Sequence, residues 1–141
     1  MARLIQVPTF DTRVKNGVVV SKSSATLSVL GNSTLELEIG FEPKRIYWLH
    51  GFTVDEKRAG HRHKKIKHAF ICMSGSCEVY IDNGTDQRGV TFKLNSQDKC
   101  LLLDPQDWHT MQKFTKWTVL LVLASTVYDS HDYIYEPYKK S

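Results

Sequence analysis

The sequence predicts an all-β fold, either a β-sandwich or a small barrel such as a jelly roll. Three observations carry this prediction. Short apolar or alternating runs recur along the chain, turn-forming residues separate them, and no segment of about twelve or more residues has the 3.6-residue apolar period of a helix. About eight short strands without intervening helices are typical of sandwiches and barrels.

The predicted strands follow from the apolar runs. In chain order they are Gly17–Val20, Leu35–Ile39, Arg45–Leu49, Lys67–Met73, Cys77–Ile81, Gly89–Leu94, Lys99–Leu103 and Trp117–Ala124. Because Val119 to Leu123 is apolar at every position, we expect both faces of that strand to be covered. The segment from Val20 to Asn32 is rich in serine and threonine, and fits either an irregular loop or a weakly alternating strand.

Turn signals connect several of these strands. Ser74-Gly75-Ser76 predicts a tight hairpin between its two flanking strands. The Asn-Gly pair within Asp82–Thr85 is a strong hairpin signal, since both residues tolerate positive φ. Asn95–Asp98 predicts a further turn.

The size and composition indicate an ordinary globular domain. The chain has 141 residues, of which 41% are apolar and 24% are charged, so we expect one domain over residues 1–141. The longest apolar run, Val119–Ala124, is far below the ~20 residues that span a bilayer. The N-terminus lacks the apolar stretch of a signal peptide, so we expect a cytoplasmic protein. The sparse cysteines Cys72, Cys77 and Cys100 are expected to be reduced and buried.

Positive charge is concentrated in one window. The formal net charge is only +4, but Lys57 to His68 holds six lysines or arginines together with three of the six histidines. Such a local field favours an anionic ligand. A solvated basic loop is the usual alternative, and the interleaved histidines favour a site. The spacing fits neither a nucleic-acid motif nor a dinucleotide fingerprint, so we expect neither partner.

His61-Arg62-His63 is the sharpest local feature. On a strand, residues two apart share a face, so both imidazoles point one way and Arg62 points the other. His68 follows five residues later, and His109 lies on a later strand. Paired imidazoles suit either proton transfer or metal ligation, and both chemistries remain open at this point.

The histidine spacing resembles the two sequence motifs of the cupins, which are jelly rolls. The first motif reads His61-x-His63-x4-His68-x6-Gly75, with His68 in place of the usual glutamate. The second is Pro105 followed by His109. The resemblance thus implies the same fold class as the strand pattern.

Longer stretches resemble one cupin family in particular, the sugar-nucleotide 3,4-ketoisomerases that act on dTDP-4-keto-6-deoxyglucose. The matching stretches are Arg45–Trp48, Glu56–Lys65, Cys72–Cys77, Trp108–His109, Val122–Ser125, Tyr128–Asp129 and Asp132–Ile134. Asp11-Thr12-Arg13 also resembles the N-terminal Asp-x-Arg-Gly of the family, although the glycine is missing.

The resemblance implies a catalytic pair, His61 and His63, that moves a proton between C3 and C4 through an enediol without metal or cofactor. We predict that His63 is the proton shuttle and that His61 hydrogen-bonds the sugar oxygens. Histidine has a pKa near neutrality, as this chemistry requires. Asparagine at either position is expected to abolish turnover and to leave the fold intact.

The resemblance also implies substrate-binding residues. Arg45 and Arg58 are expected to hold the diphosphate, because arginine matches phosphate geometry in a bidentate way. Tyr47 is expected to orient the sugar, and His109 and His68 to line the same pocket. Arg13 would reach the pocket of a partner subunit if a homodimer exchanges its N-terminal segments. The chain also departs from the family in its central part: His68 stands where glutamine is usual, Arg62 where a small residue is expected, and Ala59 where glycine is usual. The alanine is harmless only if that backbone does not need positive φ.

The expected product is a dTDP-3-keto-6-deoxyhexose, with Arg13 and His109 favouring the galacto configuration. The implied context is deoxyamino-sugar biosynthesis for a lipopolysaccharide O-antigen or an S-layer glycan. Two alternatives remain open. One is a metal-dependent cupin enzyme that uses His61, His63, His68 and His109 as ligands, and the other is a non-catalytic cupin that only binds its ligand.

Overall fold

Two five-stranded antiparallel sheets face each other in the computed structural model, which describes residues 1–19, 25–85 and 88–139. The strands are β1 (Arg3–Gln6), β2 (Thr9–Asp11), β3 (Val14–Lys15), β4 (Val18–Val19), β5 (Thr26–Ser28), β6 (Arg45–Leu49), β7 (Arg58–His63), β8 (His68–Ser74), β9 (Cys77–Asp82), β10 (Val90–Leu94), β11 (Lys99–Leu103), β12 (Trp108–Gln112), β13 (Val119–Ala124) and β14 (Tyr133–Ile134). The first sheet has the order β1-β11-β8-β13-β6, and the second has the order β10-β9-β12-β7-β14. The all-β prediction is confirmed.

The core lies between the two sheets. Phe70, Leu101 and Val122 of the first sheet pack with Val79 and Met111 of the second in one apolar cluster. A second cluster covers the outer face of the first sheet, where Ala69, Ile71 and Leu123 meet Val7, Ile39 and Phe41. Strand β13 therefore contributes side chains to both clusters, which confirms that both of its faces are covered.

The prediction of a hairpin at Ser74-Gly75-Ser76 is wrong. Strand β8 pairs with β11 and β13, and β9 pairs with β10 and β12. The turn is instead a corner at which the chain leaves one sheet and enters the other. Ser76 donates its backbone N–H to Thr115 Oγ1 at 2.9 Å, and Gly75 has φ +70° with no room for a side chain beside Thr118. A turn signal indicates where the chain bends, but the pairing is decided by the core.

The prediction of a strand at Leu35–Ile39 is also wrong, because these residues form the short helix α1. Leucine and glutamate are good helix formers, and Gly40 ends the helix in the left-handed conformation with its N–H bonded to the Glu36 carbonyl at 2.8 Å. Leu35 and Ile39 then share one face and pack on the outer apolar cluster. Alternation over five residues does not distinguish this arrangement from a strand.

The remaining predicted strands agree with the structure to within two residues at the ends that it describes, and Val20 lies outside the described residues. The loop-or-strand segment contains β5, and its positions 20–24 also lie outside. Strands β1, β2, β3 and β14 were not predicted, because they are only two to four residues long, and β7 and β12 were expected only as the strands that carry the histidines. The three cysteines are free and buried, as expected. In the described part of the chain, no helix has the length and apolarity to cross a membrane.

Candidate active site

The four clustered histidines lie at a cavity of about 310 Å³ between the two sheets. The lining residues come from β6, β7, β8, β12, β13 and β14; they are Arg45, Tyr47, Leu49, Arg58, Ala59, His61, His68, Phe70, His109, Met111, Val122 and Tyr133. Two other cavities, of about 400 and 480 Å³, are larger, but no histidine or arginine lines either of them. Because the histidines and arginines line the smaller cavity, we take that cavity as the candidate active site.

A β-bulge in β7 brings arginine and histidine to the same cavity wall. His61 pairs with His109 and Ala59 pairs with Thr110, so Gly60 is an extra residue opposite a single step of β12. Arg58 and His61 are an odd number of residues apart and would lie on opposite faces of a regular strand. The extra residue shifts this alternation, and both side chains line the cavity.

The bulge places Ala59 at φ +67°, next to Gly60 at +84°. The backbone at residue 59 therefore does need a positive φ, and the alanine at this position is strained. A left-handed conformation costs an L-residue with a Cβ roughly 1–2 kcal/mol, and glycine avoids this cost.

We expect Ala59→Gly to stabilise the protein by about 1 kcal/mol and to raise Tm by about 2–4 °C in a thermal melt. Ala69→Gly in β8 is the matched control, and it should lower Tm, because glycine weakens a regular strand. A lower Tm for Ala59→Gly would contradict the strain argument.

The histidine rings contact one another. The His61 ring centroid lies 5.0 Å from that of His63 and 4.9 Å from that of His109, nearly perpendicular to the former. The His63 and His68 centroids are 4.5 Å apart. His61, His68 and His109 line the cavity, whereas His63 is not among its lining residues and contacts the His61 ring. As predicted, Arg62 faces the other way, and its guanidinium stacks on Tyr138.

Burial keeps these imidazoles neutral. It lowers the pKa of His61 to about 3, that of His68 to about 2 and that of His109 to about 4, and neighbouring imidazoles add to each shift. His109 donates Nδ1–H to the Asp107 carbonyl at 3.0 Å, so its Nε2 carries the free lone pair. Burial also lowers the pKa of His63, while the Asp132 carboxylate acts in the opposite direction.

Two arginines supply the positive charge of the cavity. The Arg45 guanidinium stacks on Tyr47, 4.2 Å from the ring centroid, and lies 5.3 Å from that of Tyr128. Arg58 is more exposed and forms an ion pair with Glu56 at 3.4 Å. Among the described lining residues there is no carboxylate. The field inside the cavity is therefore suited to an anion.

Two tyrosines line the cavity together with the histidines. Burial raises the pKa of Tyr47 to about 12, so its phenol keeps its proton at neutral pH. Burial also raises the pKa of Tyr133, whose ring lies 4.7 Å from those of His61 and His63. Both hydroxyls are available as hydrogen-bond donors to a ligand oxygen.

The structure does not bring Arg13 to this cavity. Its side chain is half-exposed and forms a bidentate ion pair with Asp11, two residues away, with N–O distances of 3.0 and 2.8 Å. The other predicted site residues line the cavity or, for His63, contact the His61 ring. In the described ranges, no three or more histidine, cysteine or acidic side chains are grouped so as to hold a metal ion.

A model of the family "FdtA: WxcM-like, C-terminal" matches residues 10–140, which is nearly the whole chain. The chain belongs to this family. A curated relative from Aneurinibacillus thermoaerophilus is described as TDP-4-oxo-6-deoxy-alpha-D-glucose-3,4-oxoisomerase. It is 38% identical over 104 residues, which are 72% of this chain and 73% of the relative.

Solved structures agree with this family membership. A 3,4-ketoisomerase from Helicobacter canadensis superposes with a TM-score of 0.79 and 29% identity, covering 96% of this chain and 90% of the other. QdtA from Thermoanaerobacterium thermosaccharolyticum, a histidine-to-asparagine variant in complex with TDP-4-keto-6-deoxyglucose, gives a TM-score of 0.79, 27% identity and coverages of 96% and 87%. The resemblance to sugar-nucleotide 3,4-ketoisomerases is thus confirmed.

The sequence prediction did not assign roles to Tyr133 and Asp132. Tyr133 lines the cavity because β14 pairs with β7, with Tyr133 opposite His63. Asp132 bonds to His63 across 69 residues of sequence. The only available signal was the match of Asp132–Ile134 to the family, since no spacing rule connects two segments so far apart.

Proposed function

We propose that this protein is an isomerase that converts dTDP-4-keto-6-deoxyglucose into a dTDP-3-keto-6-deoxyhexose. The observation that carries the proposal is a cavity wall where neutral imidazoles, protonated phenols and two arginines converge. The family and the relatives described above support the same reaction. Residues 1–141 act in this proposal as a single catalytic domain.

His61 is the group that meets the sugar carbons in this proposal. It lines the cavity and His63 does not, so this proposal gives His61 the shuttle role that was first expected of His63. A neutral imidazole nitrogen takes the proton from C3, and the electrons of that bond form an enediolate with its negative charge on the C4 oxygen. The proton of the C3 hydroxyl then passes to the C4 oxygen, and the His61 imidazolium returns its proton to C4 as the C3 oxygen becomes the new carbonyl. The negative charge of a bound diphosphate raises the pKa of His61 toward the range that proton transfer needs.

Tyr47 and His109 stabilise the sugar oxygens in this proposal. Charge develops on the carbonyl oxygen as the proton leaves C3, and a fixed donor at that position lowers the barrier. The Tyr47 phenol is held beside Arg45, and it keeps its proton at neutral pH. His68 lines the same wall and completes the polar contacts to the sugar.

Arg45 and Arg58 hold the diphosphate in this proposal. We expect Arg45→Ala to weaken TDP binding by about 10- to 100-fold, the loss of one or two charge-assisted hydrogen bonds. Arg58→Ala should have a smaller effect, because Arg58 is more exposed and already paired with Glu56. Isothermal titration calorimetry with TDP measures both. Lys57→Ala, an equal charge change at an exposed neighbour outside the cavity, is the control. Unchanged TDP affinity in Arg45→Ala would refute the assignment.

The test of the reaction is NMR of dTDP-4-keto-6-deoxyglucose incubated with the protein in deuterated water. We expect the signals of a 3-keto sugar and deuterium at the exchanging carbon. The galacto configuration is the favoured product, and the pathway is deoxyamino-sugar synthesis for an O-antigen or an S-layer glycan. Unchanged substrate that nevertheless binds would support a non-catalytic binding protein. Loss of activity on chelation, with recovery on adding metal, would support the metal-dependent alternative.

We further propose a homodimer. Ile46 and Trp48 are each 60% exposed on β6, an edge strand of the first sheet, and Phe10 and Leu27 are exposed on the separate β2–β5 sheet. Ile46 and Leu27 line the apolar groove of about 480 Å³ on that face. A second copy would cover this apolar surface, and an exchanged N-terminal segment would carry Arg13 toward the partner's cavity.

Light scattering after gel filtration tests this assembly. We expect a dimer for the wild type and a monomer for Ile46→Glu. Leu37→Glu is the control, since Leu37 is 82% exposed on α1 and outside the groove. A wild-type monomer at all concentrations would overturn the dimer, and with it the role of Arg13.

A further inference from the structure

A buried carboxylate lies behind the histidines, and the proposed reaction does not yet use it. Asp132, at the end of the 3₁₀ turn Ser130–Asp132, is 2% exposed. Its oxygens accept hydrogen bonds from the backbone N–H of Lys65 at 3.0 Å and of Ile66 at 3.2 Å. Since backbone amides can only donate, the carboxylate is an acceptor on both oxygens.

The third partner of this carboxylate is His63. Its Nδ1 lies 3.1 Å from Asp132 Oδ2, and both side chains are almost fully buried. Asp132 Oδ2 is the acceptor here, as it is for the Ile66 N–H, so Nδ1 is the His63 nitrogen that carries the proton. The other nitrogen, Nε2, is buried and has no hydrogen-bond partner among the described residues. The His63 ring itself lies among the rings of His61, His68 and Tyr133.

We infer that Asp132 is a positioning residue for the ketoisomerase reaction: it holds His63 as the Nδ1–H tautomer, edge-on to the His61 ring at the cavity wall. The inference rests on the proposed function. His63 is perpendicular to His61, with an interplanar angle of 87°, and so limits how the His61 ring can turn. Asp132 acts through His63 and does not touch the cavity.

The Asp132 carboxylate also supplies negative charge close to His61. When His61 takes the C3 proton, it becomes an imidazolium one ring away from a buried negative charge. Nearby opposite charge in a poorly solvated site stabilises that state. The groups that face His63 from β8, β12 and β14 are His68, His109 and Tyr133, which are neutral at neutral pH. The proton stays on His61 until it returns to C4, and no bond to Asp132 is made or broken.

The first test needs no variant. Long-range ¹H–¹⁵N spectra of the full chain labelled with ¹⁵N-histidine distinguish a protonated ring nitrogen from a free one. We expect His63 to show a protonated Nδ1 and a free Nε2 at neutral pH, and we expect the pattern to reverse or mix in Asp132→Asn. A wild-type His63 that carries its proton on Nε2 would overturn the inference. Because this measurement needs no turnover, it remains decisive even if the proposed reaction fails.

The second test separates positioning from a purely structural role. We expect Asp132→Asn to lower kcat by about 10- to 100-fold, as loss of an orienting partner does, with KM and TDP affinity changed less than about twofold. Asp129→Asn is the matched control. Asp129 caps the same 3₁₀ turn through the His131 N–H at 3.0 Å, and asparagine caps equally well. Wild-type kcat in Asp132→Asn, or an equal loss in both variants, would overturn the inference.

Discussion

His61→Asn is expected to lower kcat by about 10³-fold, within the range that general acid–base catalysis contributes. Asparagine keeps a similar size and polarity, but it cannot take a proton from carbon at neutral pH. His61 lines the cavity and forms no ion pair with the other described residues, unlike His63, so its loss leaves no buried charge without a partner. Steady-state kinetics by product NMR, together with TDP calorimetry, should show lost turnover with retained nucleotide binding.

His50→Asn is the control for this change, because His50 is exposed at the end of β6. Full activity of His61→Asn would remove His61 from the mechanism.

His63→Asn is a less informative variant, contrary to the first expectation that both substitutions leave the fold intact. It removes the partner of the buried Asp132, and breaking a buried pair costs about 3–5 kcal/mol. Its inactivity alone would not separate catalysis from folding.

Acid is expected to destabilise the protein steeply below pH 6.5. His68 and His109 are 4% and 2% exposed, and burial lowers their pKa values from 6.5 to about 2 and about 4. An unfolded chain binds a proton at each histidine below about pH 6.5, whereas the folded chain does not. The free energy of unfolding therefore falls as pH drops, by about 1.4 kcal/mol per pH unit for each histidine.

The two histidines together remove roughly 3 kcal/mol of stability by pH 5.5, a large share of a typical domain's total. The loss continues down to about pH 4 for His109 and about pH 2 for His68. Urea unfolding followed by tryptophan fluorescence between pH 8 and 5 measures this slope. His68→Gln, which removes one such group and keeps a polar side chain, should reduce the slope by about 1.4 kcal/mol per pH unit. An unchanged slope would show that His68 is already charged or solvated in the folded protein.

Short sequence patterns correctly predicted the features that depend on only a few neighbouring residues. The period of two placed His61 and His63 on one side of a strand with Arg62 on the other, and the structure agrees. The apolar runs located the central strands, and Asn83-Gly84 located the connection between the paired strands β9 and β10. These features depend on backbone geometry within a few residues, which the sequence specifies directly.

Local patterns failed where a distant contact decides the outcome. At Leu35–Ile39 five residues of alternation fitted both helix and strand, and packing of Leu35 and Ile39 on the outer cluster selected the helix. At Ser74–Ser76 the bend was visible, but the pairing depended on which sheet each strand could join.

By itself the sequence determined an all-β chain with paired imidazoles on one strand face and a basic window around them, because side-chain direction along a strand follows from its pleat. Only the tertiary structure decided which imidazole meets the cavity, since the bulge at Gly60 and the pairing of β14 with β7 set that arrangement. It also brought Asp132 to His63 from 69 residues away and left Arg13 on its own segment. Burial of apolar surface assembles such contacts, and no periodicity in the chain records them.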